Sequence, residues 1–131
     1  MIGLDSNVVV RYLVQDDPVQ SRKATDIIEG RLTAQNPGFV SVVAMAETVW
    51  VLDRAYRFSD EDIVGAVEGT LQADVLVVEH EQAVFAAMTA VKEGLGSFAD
   101  ALIGALDAAA GCSATLTFDR RALRLPDFEV A

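Results

Sequence analysis

Four acidic residues stand where a carboxylate could do chemistry. Asp5 closes the apolar run 1–4, and Asp119 closes the run 114–118. Each is an acid at the end of a stretch of strand length. Glu47 is the only charge in residues 42–52, and Asp100 lies inside Phe98-Ala99-Asp100-Ala101-Leu102-Ile103. A carboxylate among such neighbours is costly to bury unless it is paired, protonated or bound to metal. Neither stretch contains a Lys or Arg to pair with it. Four carboxylates brought to one point repel each other, and a hard divalent cation relieves that repulsion. Magnesium takes octahedral oxygen ligands and keeps several waters, so a few monodentate carboxylates suit it; manganese is the open substitute. With phosphate oxygens completing the shell, one or two such ions can activate water and support in-line displacement at phosphorus. Cys112 and His80 are the only thiol and imidazole donors. They are too few for zinc and leave no Cys–His or Ser–His pair for nucleophilic catalysis.

Each acid also has an ordinary reading. Asp5 and Ser6 could cap a helix, an effect of about 1 kcal/mol. Asp100 could be the third-residue partner of Ser97 in a capping box, and Asp119 a turn residue before Arg120-Arg121. Asp107, two turns after Asp100, is open between a solvated residue and an outer ligand. Glu47 is the hardest of the set to dismiss. Arg120, Arg121 and Arg124 could hold phosphates beside Asp119, or form a solvated turn.

Strands and helices must position these residues. Apolar runs at 1–4, 39–42, 75–78, 114–118 and 128–130 read as strands. Between them, helical spacing predicts helices over 8–14, 19–34, 43–57, a segment from Ser59, 80–94, and a segment from Ser97 to Gly111. Ser59 with Asp62, and Ser97 with Asp100, have capping-box spacing. Strands alternating with helices imply a parallel sheet covered on both faces, hence a three-layer α/β/α sandwich. In such sheets ligands bind outside the carboxyl ends of the strands, where Asp5 and Asp119 fall.

Composition sets bounds. The 131 residues, with no repeat or linker, read as one domain over 1–131. Hydrophobic residues make up 52% and mean hydropathy is +0.32, which points to apolar surface covered by a partner or a second copy. No apolar run approaches the roughly 20 residues of a membrane span. The opening residues lack a basic signal-peptide region, and the single cysteine cannot form an internal disulfide, so a cytoplasmic protein is expected. A net charge of −10 argues against non-specific nucleic-acid binding through Lys and Arg. It leaves room for a nuclease whose cations supply positive charge locally.

The motifs carry a family resemblance. Leu4-Asp5-Ser6-Asn7-Val8 resembles the opening motif of PIN domains, an Asp followed by Ser or Thr and then Asn. Ala46-Glu47-Thr48-Val49-Trp50-Val51-Leu52 is similar to the segment bearing their Glu. Phe98-Ala99-Asp100-Ala101-Leu102-Ile103 and Thr117-Phe118-Asp119-Arg120-Arg121-Ala122 resemble the third and fourth acidic motifs of the VapC-like branch. The four motifs run in order across nearly the whole chain. The resemblance implies a PIN-like sheet in the order 3-2-1-4-5 and magnesium-dependent endoribonuclease activity. It makes Asp5, Glu47, Asp100 and Asp119 the catalytic, metal-binding acids, supported by Ser6, Asn7 and Thr117. Many relatives carry an Asp three residues before the third acid, where this chain has Ser97. The resemblance further implies the toxin of a type II toxin–antitoxin pair: a homodimer held by a VapB-like antitoxin, whose segment packs along an apolar groove. Such a segment often brings an Arg to the acids.

Other classes fare worse. A receiver domain needs a Lys after a late strand, but Lys23 and Lys92 both fall in predicted helices. A haloacid-dehalogenase-type phosphatase needs an Asp two residues after the first, where this chain has Asn7. The remaining rival is a catalytically silent PIN scaffold that acts only through protein partners.

Overall fold

Apolar runs punctuated by capping residues become alternating strands and helices in the computed structural model, which describes residues 1–131. Strand β1 (Ile2–Gly3) leads into helices α1 (Ser6–Val14) and α2 (Pro18–Thr25) and a wide helical turn (Asp26–Arg31). Strand β2 (Gly38–Val40) precedes α3 (Val42–Arg54) and α4 (Asp60–Gln72). Strand β3 (Leu76–Val78) precedes α5 (Glu81–Lys92) and α6 (Phe98–Ala109). Strand β4 (Thr115–Thr117), a 3-10 turn (Arg120–Arg124) and strand β5 (Phe128–Val130) complete the chain. The result is the α/β/α sandwich expected from the alternation, with every strand pair parallel.

Strand β2 lies between β1 and β3, with Ile2 opposite Gly38 and Gly38 opposite Leu76. Strands β4 and β5 form a second ladder, Thr115 opposite Phe128. The runs 3-2-1 and 4-5 follow the expected order, and no ladder joins β1 to β4. Gly38 shows why the centre of the sheet is tight. A Cβ there would stand 2.7 Å from Leu32 Cδ1 and 3.0 Å from Leu4 Cδ1. Any larger residue would force these core leucines apart.

Three serines start helices, Ser59 and Ser97 as their spacing predicts and Ser41 in addition. Ser41 Oγ accepts from Ala44 N, Ser59 Oγ from Asp62 N and Ser97 Oγ from Asp100 N, each at 3.1 Å. Each satisfies a first-turn N–H that has no partner within the helix. Two helices end earlier than their periodicity suggests. Helix α3 stops at Arg54: Arg57 adopts φ 54°, and Phe58 N donates back to Leu52 O at 3.0 Å. The left-handed Arg57, in a conformation that glycine adopts more readily, reverses the chain there. The predicted helix 19–34 splits after Thr25, and Leu32 N then bonds Ile27 O at 2.9 Å, five residues back. Ile28 within the wide turn and Leu32 just after it both enter the core. Met45, Leu52, Val9, Val40, Val67 and Val84 are the largest fully buried apolar side chains, and all but Leu52 belong to the core that joins α1, α3, α4 and α5 to the sheet.

Candidate active site

The chain places three of the four acids at the starts of helical segments. Asp5 follows β1 after one residue, Leu4, and caps α1, accepting from Ser6 N at 2.7 Å. Ser6 is buried, and its hydroxyl lies 3.4 Å from the same carboxylate oxygen. Asp100 occupies the first turn of α6, half-buried, with its own N–H held by Ser97. Asp119 caps the 3-10 turn after β4. Thr117 Oγ1 accepts from Asp119 N at 3.0 Å, so Thr117 fixes the turn that carries the acid. Asn7 is exposed on α1.

Glu47 departs from the sequence argument. Its stretch is apolar, yet the side chain is exposed, because α3 buries Ala44, Met45, Thr48, Val49 and Leu52 on the opposite side. The cost of burial therefore says nothing about its role. Its neighbour Ala46 lines a groove with Val49 and Trp50, facing the cap Ser97 and Phe98 and Ala99 at the start of α6. Glu47 and Asp100 thus come from facing segments of two packed helices.

Asp119 has a partner that the sequence left open. Arg121 Nε and Nη2 bond its two carboxylate oxygens, each at 3.2 Å, while the Arg121 peptide N–H donates to Oδ1 at 2.9 Å. These bonds, the side-chain ones foremost, hold the Asp119 carboxyl below the usual carboxylate range. The Arg121 guanidinium is raised in return, first by its bonds to Asp119 and, at longer range, by the charge of Asp100. Arg121 therefore stands in the field of both acids. As the chain stands it is bound to protein, whereas Arg120 and Arg124 are exposed on the same turn with no bonded partner.

No three His, Cys, Asp or Glu side chains stand close enough to hold a metal ion. The donors are all carboxylate oxygens and suit magnesium or manganese in kind. They do not fit in position, since Arg121 rather than a second acid faces Asp119. Asp107, the residue left open above, accepts from Thr115 Oγ1 at 2.8 Å and ties α6 to β4. Glu79 is an acid that the reading of strand ends passed over. It follows β3 as Asp5 follows β1, and the same signal, an acid closing an apolar run, marks it. Its Oε1 accepts from Val42 N at 2.9 Å, which makes it a cap for α3.

A parallel α/β/α sandwich carrying acids just after β1 and β4 is an architecture suited to phosphodiester chemistry. The model of the PIN domain family matches residues 2–128, and the chain belongs to that family. PIN domains are generally nucleases and typically use divalent metal ions. No curated protein matches the chain significantly. No helix is long and apolar enough to cross a membrane.

Proposed function

We propose that the chain is a magnesium-dependent endoribonuclease, a single domain over 1–131, and the toxin half of a VapBC-type pair. The observation that carries this is the placement of Asp5 and Asp119 as caps just past the carboxyl ends of β1 and β4, within a chain of the PIN family. Acids at such strand ends stand where a parallel sheet binds its ligands. Asp5, Glu47, Asp100 and Asp119 would be the residues that hold the ion, with manganese as a substitute. Ser6 and Thr117 support Asp5 and Asp119 through the bonds described above, and Asn7 faces solvent beside them. A hard divalent ion bound there would supply Lewis acidity toward a phosphodiester. Arg120 and Arg124 are the free cations nearest Asp119 in sequence and would meet RNA phosphates.

Exposed apolar side chains support an assembled state. Val43 and Trp50 on α3 are 72% and 61% exposed, and Phe118 beside Asp119 is 90% exposed. Surface of this kind is normally covered. We assign it to a homodimer and to a VapB-like antitoxin in a cytoplasmic complex. Light scattering of the purified chain should give twice the monomer mass; a monomer at tens of micromolar (a range typical of modest interfaces) would remove the homodimer.

A second reading is a catalytically silent PIN scaffold, favoured by the absence of any preassembled group of three ligands. RNA cleavage separates the two. Wild-type protein should cut RNA with magnesium and not with EDTA. Asp5→Asn, Glu47→Gln, Asp100→Asn and Asp119→Asn should each reduce the rate by about 100-fold or more, as loss of several kcal/mol of metal-dependent stabilisation requires. Full activity in any two variants would break the shared site, and an inert wild type would favour the scaffold.

A further inference from the structure

The Asp119–Arg121 contact has the geometry of an occupied ligand position. Asp119 Oδ1 accepts two N–H groups from Arg121, and Oδ2 accepts a third. Thr117 fixes the backbone on the other side of the carboxylate. The acid is therefore turned onto its own 3-10 turn, with both carboxylate oxygens engaged by Arg121. The far end of this contact is loose. The Arg121 side chain is 91% exposed and bonds nothing but Asp119, two residues away. Swinging it out would expose no buried group and would break no contact between distant parts of the chain.

We propose that Arg121 is a resident cation that occupies the place of the metal ion at Asp119, and that it must leave before the carboxylate can bind one. This rests on the metal-site reading given above. Arg121 accounts for the disagreement between a donor set of the right chemistry and side chains that do not converge. A guanidinium neutralises Asp119 while the ion is absent, so the acidic edge does not carry its full repulsion. Loading with metal is then an exchange of one cation for another, and the apparent affinity for the ion is lowered by the strength of the contact displaced.

The test is a manganese titration of the whole chain, reading free Mn2+ by electron paramagnetic resonance with no RNA present. Wild type, Arg121→Gln, Arg121→Lys and Arg124→Gln are compared at one ionic strength. Arg121→Gln should bind manganese about two- to fivefold more tightly, the ratio that an exposed ion pair commands. Arg121→Lys, which keeps the charge but loses the two-pronged contact, should fall between. Arg124→Gln removes the same charge from the same turn without touching Asp119 and should match wild type. Saturable binding by wild type that Arg121→Gln does not tighten would overturn the proposal, as would equal tightening by Arg124→Gln. Binding by Arg121→Gln alone would support it in its strongest form. If neither wild type nor Arg121→Gln binds saturably, the metal-site reading itself falls and this inference falls with it.

Discussion

Two arginine–aspartate pairs of nearly equal length have different roles in this molecule. Arg11 meets Asp16 at 3.0 Å, and Arg121 meets Asp119 at 3.2 Å. The first pair is one edge of a larger brace. Arg11 also donates to Gln20 Oε1 at 2.9 Å and to the Tyr56 oxygen at 3.0 Å, and Tyr56 donates to Asp16 at 2.9 Å. That set ties the end of α1 to α2 and to the segment after α3, 40 residues away. The second pair is local and open to water. Distance alone does not tell a structural ion pair from a displaceable one; what each end anchors does. A contact that closes a tertiary loop resists exchange, while one within a three-residue turn is free to be replaced by another cation.

The largest effect should come from the footing of the brace. Leu52 is fully buried, and its carbonyl receives the Phe58 N–H that turns the chain so that Tyr56 faces Asp16. Leu52→Ala should cost about 2–5 kcal/mol, from lost burial and the cavity left behind. Urea unfolding measures it. A loss well under 1 kcal/mol would mean that the end of α3 is not packed as described.

Much of this organisation is legible in the sequence, and the parts that are not share one cause. Ser41, Ser59 and Ser97 start helices because a hydroxyl can satisfy a nearby N–H, a purely local event. The spacing of Ser59 and Ser97 shows this from composition alone. Strand β5 falls on residues 128–130, where the apolar run places it. Asp5 and Asp119 fall just after strands for the same local reason. The brace is invisible because Arg11 and Tyr56 are 45 residues apart and neither has an unusual neighbourhood in sequence. Glu47 misleads because an apolar stretch longer than a helical turn must place some residues on the outer face, and periodicity within 42–52 does not say which. Arg121 was visible as a basic residue beside an acid. Only the geometry of the turn shows that its fork closes on Asp119, since Arg120 lies nearer in sequence and remains unpaired.

The next effect compares the two pairs directly. Arg11→Met should lower the melting temperature by several degrees, because Asp16, Tyr56 and Gln20 all lose a shared donor. Arg121→Gln should leave it within about 1 °C, as is usual for an exposed site with no tertiary contact. Scanning calorimetry at pH 7 measures both. Equal losses would erase the distinction between brace and turn, and a stability loss confined to Arg121→Gln would invert it.

The smallest effect lies in the pH dependence of stability. The Tyr56 hydroxyl first, and then a backbone N–H and Arg11, hold Asp16 below the usual carboxylate range, against the opposing pull of desolvation. Arg121 does the same for Asp119. A carboxyl whose folded pKa is lowered binds protons more weakly when folded. Its contribution is complete above the unfolded value of about 3.9 and is lost as pH falls through the folded value. The tyrosines have the opposite sign. The bond to Asp16 pushes the Tyr56 hydroxyl above its ordinary value of 10.0, and the bond to Glu29 does the same to Tyr12. Each folded tyrosine binds its proton more tightly, so its contribution is complete below about pH 10 and is lost as pH rises through the raised value. The brace should therefore mark both ends of the pH scale, and the Asp119–Arg121 pair only the acid end. Tyr56→Phe removes one of two tyrosine contributions, leaving that of Tyr12, and weakens the hold on Asp16. Arg121→Gln removes only the share of Asp119. Melting temperatures of wild type and both variants, taken from pH 3 to 5 and from pH 9 to 11 at constant salt, should show a flatter alkaline limb in Tyr56→Phe alone. Both variants should lose less stability than wild type on acidification. An alkaline limb in Tyr56→Phe as steep as that of wild type would mean that the Tyr56–Asp16 bond does not form in solution. An alkaline limb altered by Arg121→Gln would mean that the turn is coupled to groups well beyond Asp119 and is not the local, exchangeable contact that its geometry describes.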